Sequence, residues 1–233
     1  RTGYRLRNYD AGDRAFGVAL AMPQADPPEC GFPLLLLSDA ALHFDAVASI
    51  AAALARREGK TGVSPMIVLG IANGPGWGHD AERRGEDLVP GERGAEGLSA
   101  LIREHLLPDV AAMAPVDPAR TGFLGHSLGA LFALDLVARA PGQFGCGMAL
   151  SPSFWRLPDL APRVAQALAG TQVRIFMASG EKEPAKINDD MRPMADLLGQ
   201  HARVEYRLMA GEDHGALPFA VMPAALRFLH AAD

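Results

Sequence analysis

The sequence predicts an α/β fold in which a mostly parallel sheet carries helices on both of its faces. Short, continuously apolar runs such as 33–37 (PLLLL) and 66–72 (MIVLGIA) alternate with segments of helical apolar periodicity. Such runs are typical of strands buried on both faces, and their alternation with helices is typical of parallel sheets. With 233 residues, 49% of them apolar, the chain is long enough for one domain, 1–233, with a well-buried core.

The elements follow from the same patterns in chain order. We predict strands at 4–8, 16–22, 33–37, 66–72, 121–124, 146–150, 173–178 and 204–209. We predict helices at 44–57, 95–113, 128–140, 160–169, 187–198 and 219–231. The first two strands form a hairpin, Pro108 kinks or shortens its helix, and 73–94 is a long polar loop. In a sheet of this kind, sites form at the carboxyl ends of the strands.

Composition excludes several classes of function. The net charge is −5 and no Lys/Arg run exceeds two residues, which argues against a nucleic-acid surface. No stretch of about 20 residues is continuously apolar, so we expect no membrane span. No metal-ligand spacing appears, and 74–78 (GPGWG) lacks the amphipathic helix that a dinucleotide loop needs, so we expect no metal and no cofactor.

The nucleophile candidate is Ser127, in the motif GHSLG at 125–129. A strand precedes this motif and a helix follows it, as a nucleophile elbow requires. In such an elbow the serine sits in a strained turn, and a side chain two residues before or after it would clash with neighbouring groups. The Leu128 N–H then points towards a developing oxyanion. The alternative is a helix-start turn in which Ser127 is only a cap.

A serine nucleophile needs a histidine base, which follows it in the chain order of this fold. Three histidines follow Ser127, at 201, 214 and 230. His214 lies in 211–215 (GEDHG), between the last strand and the last helix, where the base is expected. His126 is expected to pack beneath the turn, because adjacent side chains on an elbow diverge.

The acid that orients the base should follow the strand at 173–178. Glu183 is the preferred candidate and Glu181 the second, although both could be solvated loop charges. Asp213, beside His214, would have difficulty reaching back to the ring. A dyad without an acid is also open.

Three further residues are candidates for contacts with the substrate. A backbone N–H at Ala40 or Ala41 would supply the second oxyanion donor, and Asp39 before it would cap the following helix. Trp155 would wall an acyl pocket, or serve as a partly buried aromatic anchor. Arg84 would pair with a polar or anionic substrate group, or lie in solvent.

The run 125–155 (GHSLGALFALDLVARAPGQFGCGMALSPSFW) resembles the putative esterase family of α/β-hydrolases, in its siderophore-esterase-like branch of enterobactin and salmochelin esterase relatives. The segments 32–40 (FPLLLLSDA), 84–90 and 211–229 are similar to the corresponding segments of that family. The resemblance implies an α/β-hydrolase fold and a serine hydrolase that cleaves carboxylic esters through an acyl-enzyme. Ser127, His214 and Glu183 would form its triad.

The absence of a lid-sized insertion after 146–150 suggests an open cleft, suited to bulky or polar small-molecule esters of the siderophore type. Two alternatives stay open, namely an acyltransferase of the same fold and a non-catalytic ligand-binding homologue. The chain begins at Arg1, which is consistent with a removed upstream segment. Cytoplasmic and periplasmic locations, and the oligomeric state, stay open as well.

Overall fold

The computed structural model describes residues 4–11, 14–74 and 76–231. Within these ranges, eight strands form one sheet in the order β1-β2-β4-β3-β5-β6-β7-β8. The strands are β1 (Tyr4–Ala11), β2 (Arg14–Ala21), β3 (Phe32–Leu37), β4 (Ile67–Ala72), β5 (Val116–His126), β6 (Cys146–Leu150), β7 (Arg174–Gly180) and β8 (Arg203–Met209). The helices are α1 (Ala40–Ala55), α2 (Glu58–Thr61), α3 (Ala81–Asp87), α4 (Arg93–Leu101), α5 (Leu107–Met113), α6 (Leu128–Arg139), α7 (Leu160–Leu168), α8 (Ala185–Leu198) and α9 (Leu217–His230).

The predicted α/β-hydrolase architecture is confirmed. β1 and β2 form an antiparallel hairpin, β2 pairs antiparallel with β4, and every later pair from β4 to β8 is parallel. In β3, Leu34 and Leu36 pack into the core on one face of the sheet, against α4 and α6, while Leu35 and Leu37 pack against α1 and α9 on the other. The strand is apolar throughout because both faces are buried.

The predicted loop 73–94 contains a helix, α3, and the prediction of an irregular segment there was wrong. Asp80 caps this helix, and its side chain accepts hydrogen bonds from the N–H groups of Glu82 and Arg83 at 3.1 and 3.0 Å. The apolar pattern of the sequence did not predict α3, because the one buried residue of this helix is charged. That residue is Asp87, which pairs with Arg83 at 2.9 Å. A cap and an ion pair stabilise it in place of an apolar stripe.

The predicted helix 95–113 is divided into α4, a π-helical turn (Ile102–Leu106) and α5. Pro108, in the first turn of α5, has no N–H to donate, and its ring would clash with the Glu104 carbonyl in a regular helix. The wider π turn absorbs this interruption without ending the helix. Pro108 therefore coincides with a change of helix type, while the helical segment is not shortened and reaches Met113.

No lid covers the carboxyl edge of the sheet in the part of the chain that the structure describes. Between β6 and β7 lie a 3₁₀ turn (Phe154–Arg156) and α7. Among the same described residues, no helix is long and apolar enough to cross a bilayer. The carboxyl ends of β3, β5, β6, β7 and β8 therefore meet at an open edge.

Candidate active site

Ser127 occupies a strained turn between β5 and α6. Its backbone angles are φ 60° and ψ −114°, which a non-glycine residue rarely adopts. A Cβ at Gly125 would collide with the Gly129 carbonyl, and a Cβ at Gly129 would collide with Ser38 Oγ. Both glycines are thus required by close approach, which is the geometry of a nucleophile elbow.

His214 and Glu183 are joined by a hydrogen bond of 2.7 Å between Nδ1 and Oε2. Glu183 lies just beyond β7 and is buried, while His214 lies between β8 and α9 and is half-buried. The other carboxylates considered from the sequence have different partners. Glu181 accepts from the Gly211 N–H at 2.8 Å, and Asp213 accepts from two N–H groups at the start of α9. Of the three carboxylates, Glu183 is therefore the one that the structure brings to the imidazole.

The environment of Glu183 favours its ionised form. Burial by itself would raise the pKa of this carboxyl group, but hydrogen bonds from His214, Ser151 and the Gly180 N–H lower it below the ordinary value. A charged acceptor at Nδ1 holds a proton on that nitrogen and leaves Nε2 free to act as a base.

The Ser127 hydroxyl is hydrogen-bonded to Ser153 Oγ at 3.2 Å, and this is its one side-chain hydrogen bond among the described residues. The His214 ring lies beside the elbow, with its centroid 4.3 Å from that of His126, the residue before Ser127. Catalytic hydrogen bonds are often incomplete in the absence of substrate. In this structure the Ser127 hydroxyl is paired with Ser153 and not with His214.

Two helix starts supply candidate oxyanion donors. Ala40 and Leu128 are the first residues of α1 and α6, where a backbone N–H has no partner within its own helix. The two turns are neighbours, because β3 pairs with β5 and the Ser38 N–H donates to the Leu124 carbonyl at 3.2 Å. Both helix starts therefore lie at the same edge of the sheet, after neighbouring strands, and their role as oxyanion donors stays a prediction.

Arg84 and Asp39 bind each other, so Asp39 does not have the capping role that the sequence suggested. The Asp39 side chain makes no capping hydrogen bond to α1; it accepts from Arg84 Nε and NH2 at 2.7 and 2.9 Å. Arg84 NH2 also donates to the His126 carbonyl at 2.9 Å. The guanidinium thus joins the turns after β3 and β5 and does not lie in solvent, and its contact with a substrate stays a prediction.

Trp155 lies on the 3₁₀ turn that follows Ser153, and its side chain is exposed although its neighbour Phe154 is buried. The Lys186 ammonium group, in the first turn of α8, lies 4.4 Å from the Trp155 ring centroid. The 47% exposure of Trp155 fits the alternative of a partly buried anchor, and its role in an acyl pocket stays a prediction.

Two histidines and two serines contact the candidate triad or lie beside it, and the sequence did not predict these contacts. His126 packs between His214 and the buried His43, whose ring centroid is 6.0 Å away. Burial, aided by the nearby His214, lowers the pKa of His126 to about 3, so its ring is neutral at neutral pH. Ser151 and Ser153 contact Glu183 and Ser127 respectively, and the one signal in the sequence was their place directly after β6.

Among residues 4–11, 14–74 and 76–231, no group of three or more His, Cys, Asp or Glu side chains is arranged to hold a metal ion. The polar groups of the site are those of acyl transfer: a hydroxyl, an imidazole, a carboxylate and unpaired N–H groups.

Comparison with known proteins places this arrangement among esterases. The family model described as "Putative esterase" matches residues 11–217. The chain is 27% identical to ferri-bacillibactin esterase BesA of Bacillus subtilis (strain 168), over 97% of this chain and 89% of that protein. The crystal structure of BES protein from Bacillus cereus superposes with a TM-score of 0.90 at 21% identity, covering 100% of this chain and 96% of the other. The enterobactin and salmochelin hydrolase IroE superposes with a TM-score of 0.80 at 20% identity, covering 98% and 95%. Because the sequence identities are only 21% and 20%, these two structural matches show a shared fold and nothing further.

Proposed function

The chain belongs to the putative esterase family and is a serine hydrolase of carboxylic esters, and we propose that its substrates are bulky, polar esters of the siderophore type. The observation that carries the chemistry is the contact between His214 Nδ1 and Glu183 Oε2 at 2.7 Å, beside the elbow that presents Ser127.

In the acylation step, His214 Nε2 takes the proton of Ser127 as Oγ attacks the ester carbonyl carbon. The carbonyl oxygen becomes an oxyanion that accepts hydrogen bonds from the N–H groups of Leu128 and Ala40. Collapse of this intermediate breaks the bond to the alcohol oxygen, which leaves with the proton from His214. In deacylation, His214 removes a proton from water, the hydroxide attacks the acyl-enzyme, and Ser127 regains its proton.

The surroundings of the site support a bulky substrate. Three large apolar side chains, Leu42, Trp155 and Phe219, are 53, 47 and 48% exposed and lie two to five residues from Ala40, Ser153 and His214. Exposed apolar side chains this close in sequence to the proposed site residues suit a ligand with aromatic or aliphatic surface. The open edge of the sheet leaves room for the parts of such a ligand that do not react.

The relatives point to the same class of ester. One is named ferri-bacillibactin esterase and another, 34% identical over 63% of this chain and 34% of its own length, is named iron(III) salmochelin esterase from Escherichia coli O6:H1. Ferric complexes of phenolate ligands are anionic, and the Lys186 ammonium group at Trp155 matches that charge together with an aromatic surface.

The test is a hydrolysis panel with wild type and Ser127→Ala. It contains p-nitrophenyl esters of increasing chain length, thioesters, and catecholate lactones with and without iron. We expect the lactones to give the highest kcat/KM and Ser127→Ala to abolish turnover and labelling by a fluorophosphonate. A strong preference for long-chain lipid esters would contradict the substrate proposal, and acyl products formed with added alcohols would identify a transferase.

The contribution of Lys186 is tested separately. Lys186→Met should raise KM for anionic ferric lactones by about fivefold or more while leaving that for neutral p-nitrophenyl esters unchanged, since an ammonium–aromatic site contributes on the order of 1 kcal/mol. Lys60→Met, at the end of α2, changes the net charge equally and serves as the control. Equal effects of the two variants would show that Lys186 does not contact the substrate.

A further inference from the structure

We propose that Ser151 is a positioning residue for the triad, and that its hydroxyl fixes the Glu183 carboxylate in the orientation that His214 needs. The proposal rests on the proposed function, because it concerns the base of the same reaction. Ser151 Oγ donates to Glu183 Oε1, while the other oxygen, Oε2, accepts from His214. The two oxygens of one carboxylate are thus divided between an anchor and a catalytic partner.

The backbone at Ser151 supports a specific role for this side chain. Ser151 has a φ of 46°, in the left-handed region that favours glycine, and it is completely buried at the end of β6. Its N–H donates to the Ala178 carbonyl of β7 at 2.8 Å, which holds the residue against the neighbouring strand. A serine in this conformation bears a conformational cost that glycine would avoid, and the hydroxyl is what glycine would lack.

The second anchor of Glu183 is weaker and comes from its own turn. The Gly180 N–H reaches Oε1 at 3.2 Å. Without the Ser151 hydroxyl, the buried Oε1 would keep this single donor, and the carboxylate would be free to rotate away from His214 Nδ1. Ser151 therefore acts on the base through Glu183.

The same segment also reaches the nucleophile. Ser153 contacts Ser127 Oγ at 3.2 Å, and its N–H donates to the Ser127 carbonyl at 3.3 Å. Pro152 separates the two serines and restricts the backbone between them. One short run after β6 thus contacts the acid through Ser151 and the nucleophile through Ser153, so their relative placement depends on it.

The experiment compares Ser151→Ala and Ser151→Gly with wild type, and uses Ser179→Ala as the matched control. Ser179 is also a fully buried serine at the carboxyl edge, but its hydroxyl pairs with Tyr206 at 3.0 Å. For both Ser151 variants we expect kcat to fall about 10- to 100-fold with KM within twofold of wild type. Ser151→Gly relieves the left-handed backbone, so recovery of wild-type kcat in this variant would overturn the proposal.

Two further readouts distinguish positioning from a merely structural role. In the pH profile of kcat/KM, the apparent pKa of the acid limb should fall in Ser151→Ala, because a carboxylate that has rotated away from Nδ1 stabilises the imidazolium less. In a Glu183→Gln background, Ser151→Ala should cause almost no further loss of kcat. An unchanged acid limb, or the same fold loss in both backgrounds, would overturn the proposal.

The rate of Ser127 labelling by a fluorophosphonate keeps this test separate from the substrate proposal. Labelling requires an activated nucleophile but no natural ester. Ser151→Ala should slow labelling about 10-fold or more even if no siderophore ester is cleaved by wild type. If labelling is as fast as in wild type, the positioning role is wrong whatever the substrate is.

Discussion

Arg84 binds the buried Asp39 carboxylate through two hydrogen bonds, at 2.7 Å from Nε and 2.9 Å from NH2. Asp39 is 2% exposed and immediately precedes Ala40, whose N–H is a proposed oxyanion donor. An uncompensated negative charge at this position would oppose the negative charge that develops on the substrate. The guanidinium supplies the compensating charge and also holds the carbonyl that precedes Ser127.

Replacement of Arg84 should therefore reduce both stability and activity. We expect Arg84→Ala to lower the free energy of unfolding by about 3 kcal/mol, since it leaves a buried charge without its partner, and to lower kcat. Urea titration and steady-state kinetics measure the two effects. The double variant Asp39→Asn/Arg84→Ala should recover part of the stability. Arg139→Ala is the control, because the Arg139–Glu96 pair is 42 and 47% exposed and contributes at most about 1 kcal/mol.

Glu183→Gln should lower kcat by about 10²-fold or more, because an amide of the same shape cannot stabilise the imidazolium through charge. Glu181→Gln changes the same residue type two positions earlier, where the side chain accepts from the Gly211 N–H, and should stay within about threefold of wild type. If the two variants lose activity equally, or if Glu181→Gln loses more, the acid has been assigned to the wrong carboxylate. Circular dichroism confirms that both variants fold.

Gly129→Ala should disrupt the elbow, because its Cβ would collide with Ser38 Oγ and approach Asp39 Oδ2 to 3.3 Å. We expect a destabilisation of about 1–3 kcal/mol and a loss of kcat through displacement of Ser127. Gly97→Ala, in α4, meets nothing within 4 Å and should stabilise the protein by about 0.5–1 kcal/mol. Thermal and urea unfolding test both. A Gly129→Ala protein with wild-type activity would refute the requirement for close approach.

Lowering the pH should destabilise the protein even at pH values where its carboxyl groups are still ionised. Burial lowers the pKa of His126 to about 3, so between about pH 6.5 and 3 the unfolded chain binds a proton that the native state does not. Stability therefore rises with pH across this window, and His126 alone should account for about 2 kcal/mol between about pH 6.5 and 5. The lowered pKa values of His43 and His230 act in the same direction.

The change in unfolding free energy between about pH 7.5 and 5, from urea titrations, should be smaller in His126→Gln than in wild type. Identical pH dependence in the two proteins would show that burial does not lower the pKa of His126 in the native state.

Much of the fold could be predicted because its signals are local. The buried strands and the strand, turn and helix around Ser127 are encoded within a few neighbouring residues, through apolar runs and required glycines. Chain order predicted His214 as the base, and the structure places its ring beside His126 and in contact with Glu183. Helix α3 was missed because a cap and ion pairs stabilise it, and these leave no apolar period.

The sequence by itself determined the parallel sheet, the elbow at Ser127 and the position of His214 after the last strand. Apolar periodicity and chain order can be read along the chain without any knowledge of tertiary contacts. Only the tertiary structure decided which carboxylate reaches the ring, that Arg84 binds Asp39, and that Ser151 holds Glu183. These contacts join residues 31 to 45 positions apart, and the distances between them depend on the order of strands in the sheet and on burial. At the sequence level Glu181 and Glu183 are the same residue type in one loop; the packed fold buries one beside an imidazole and leaves the other exposed.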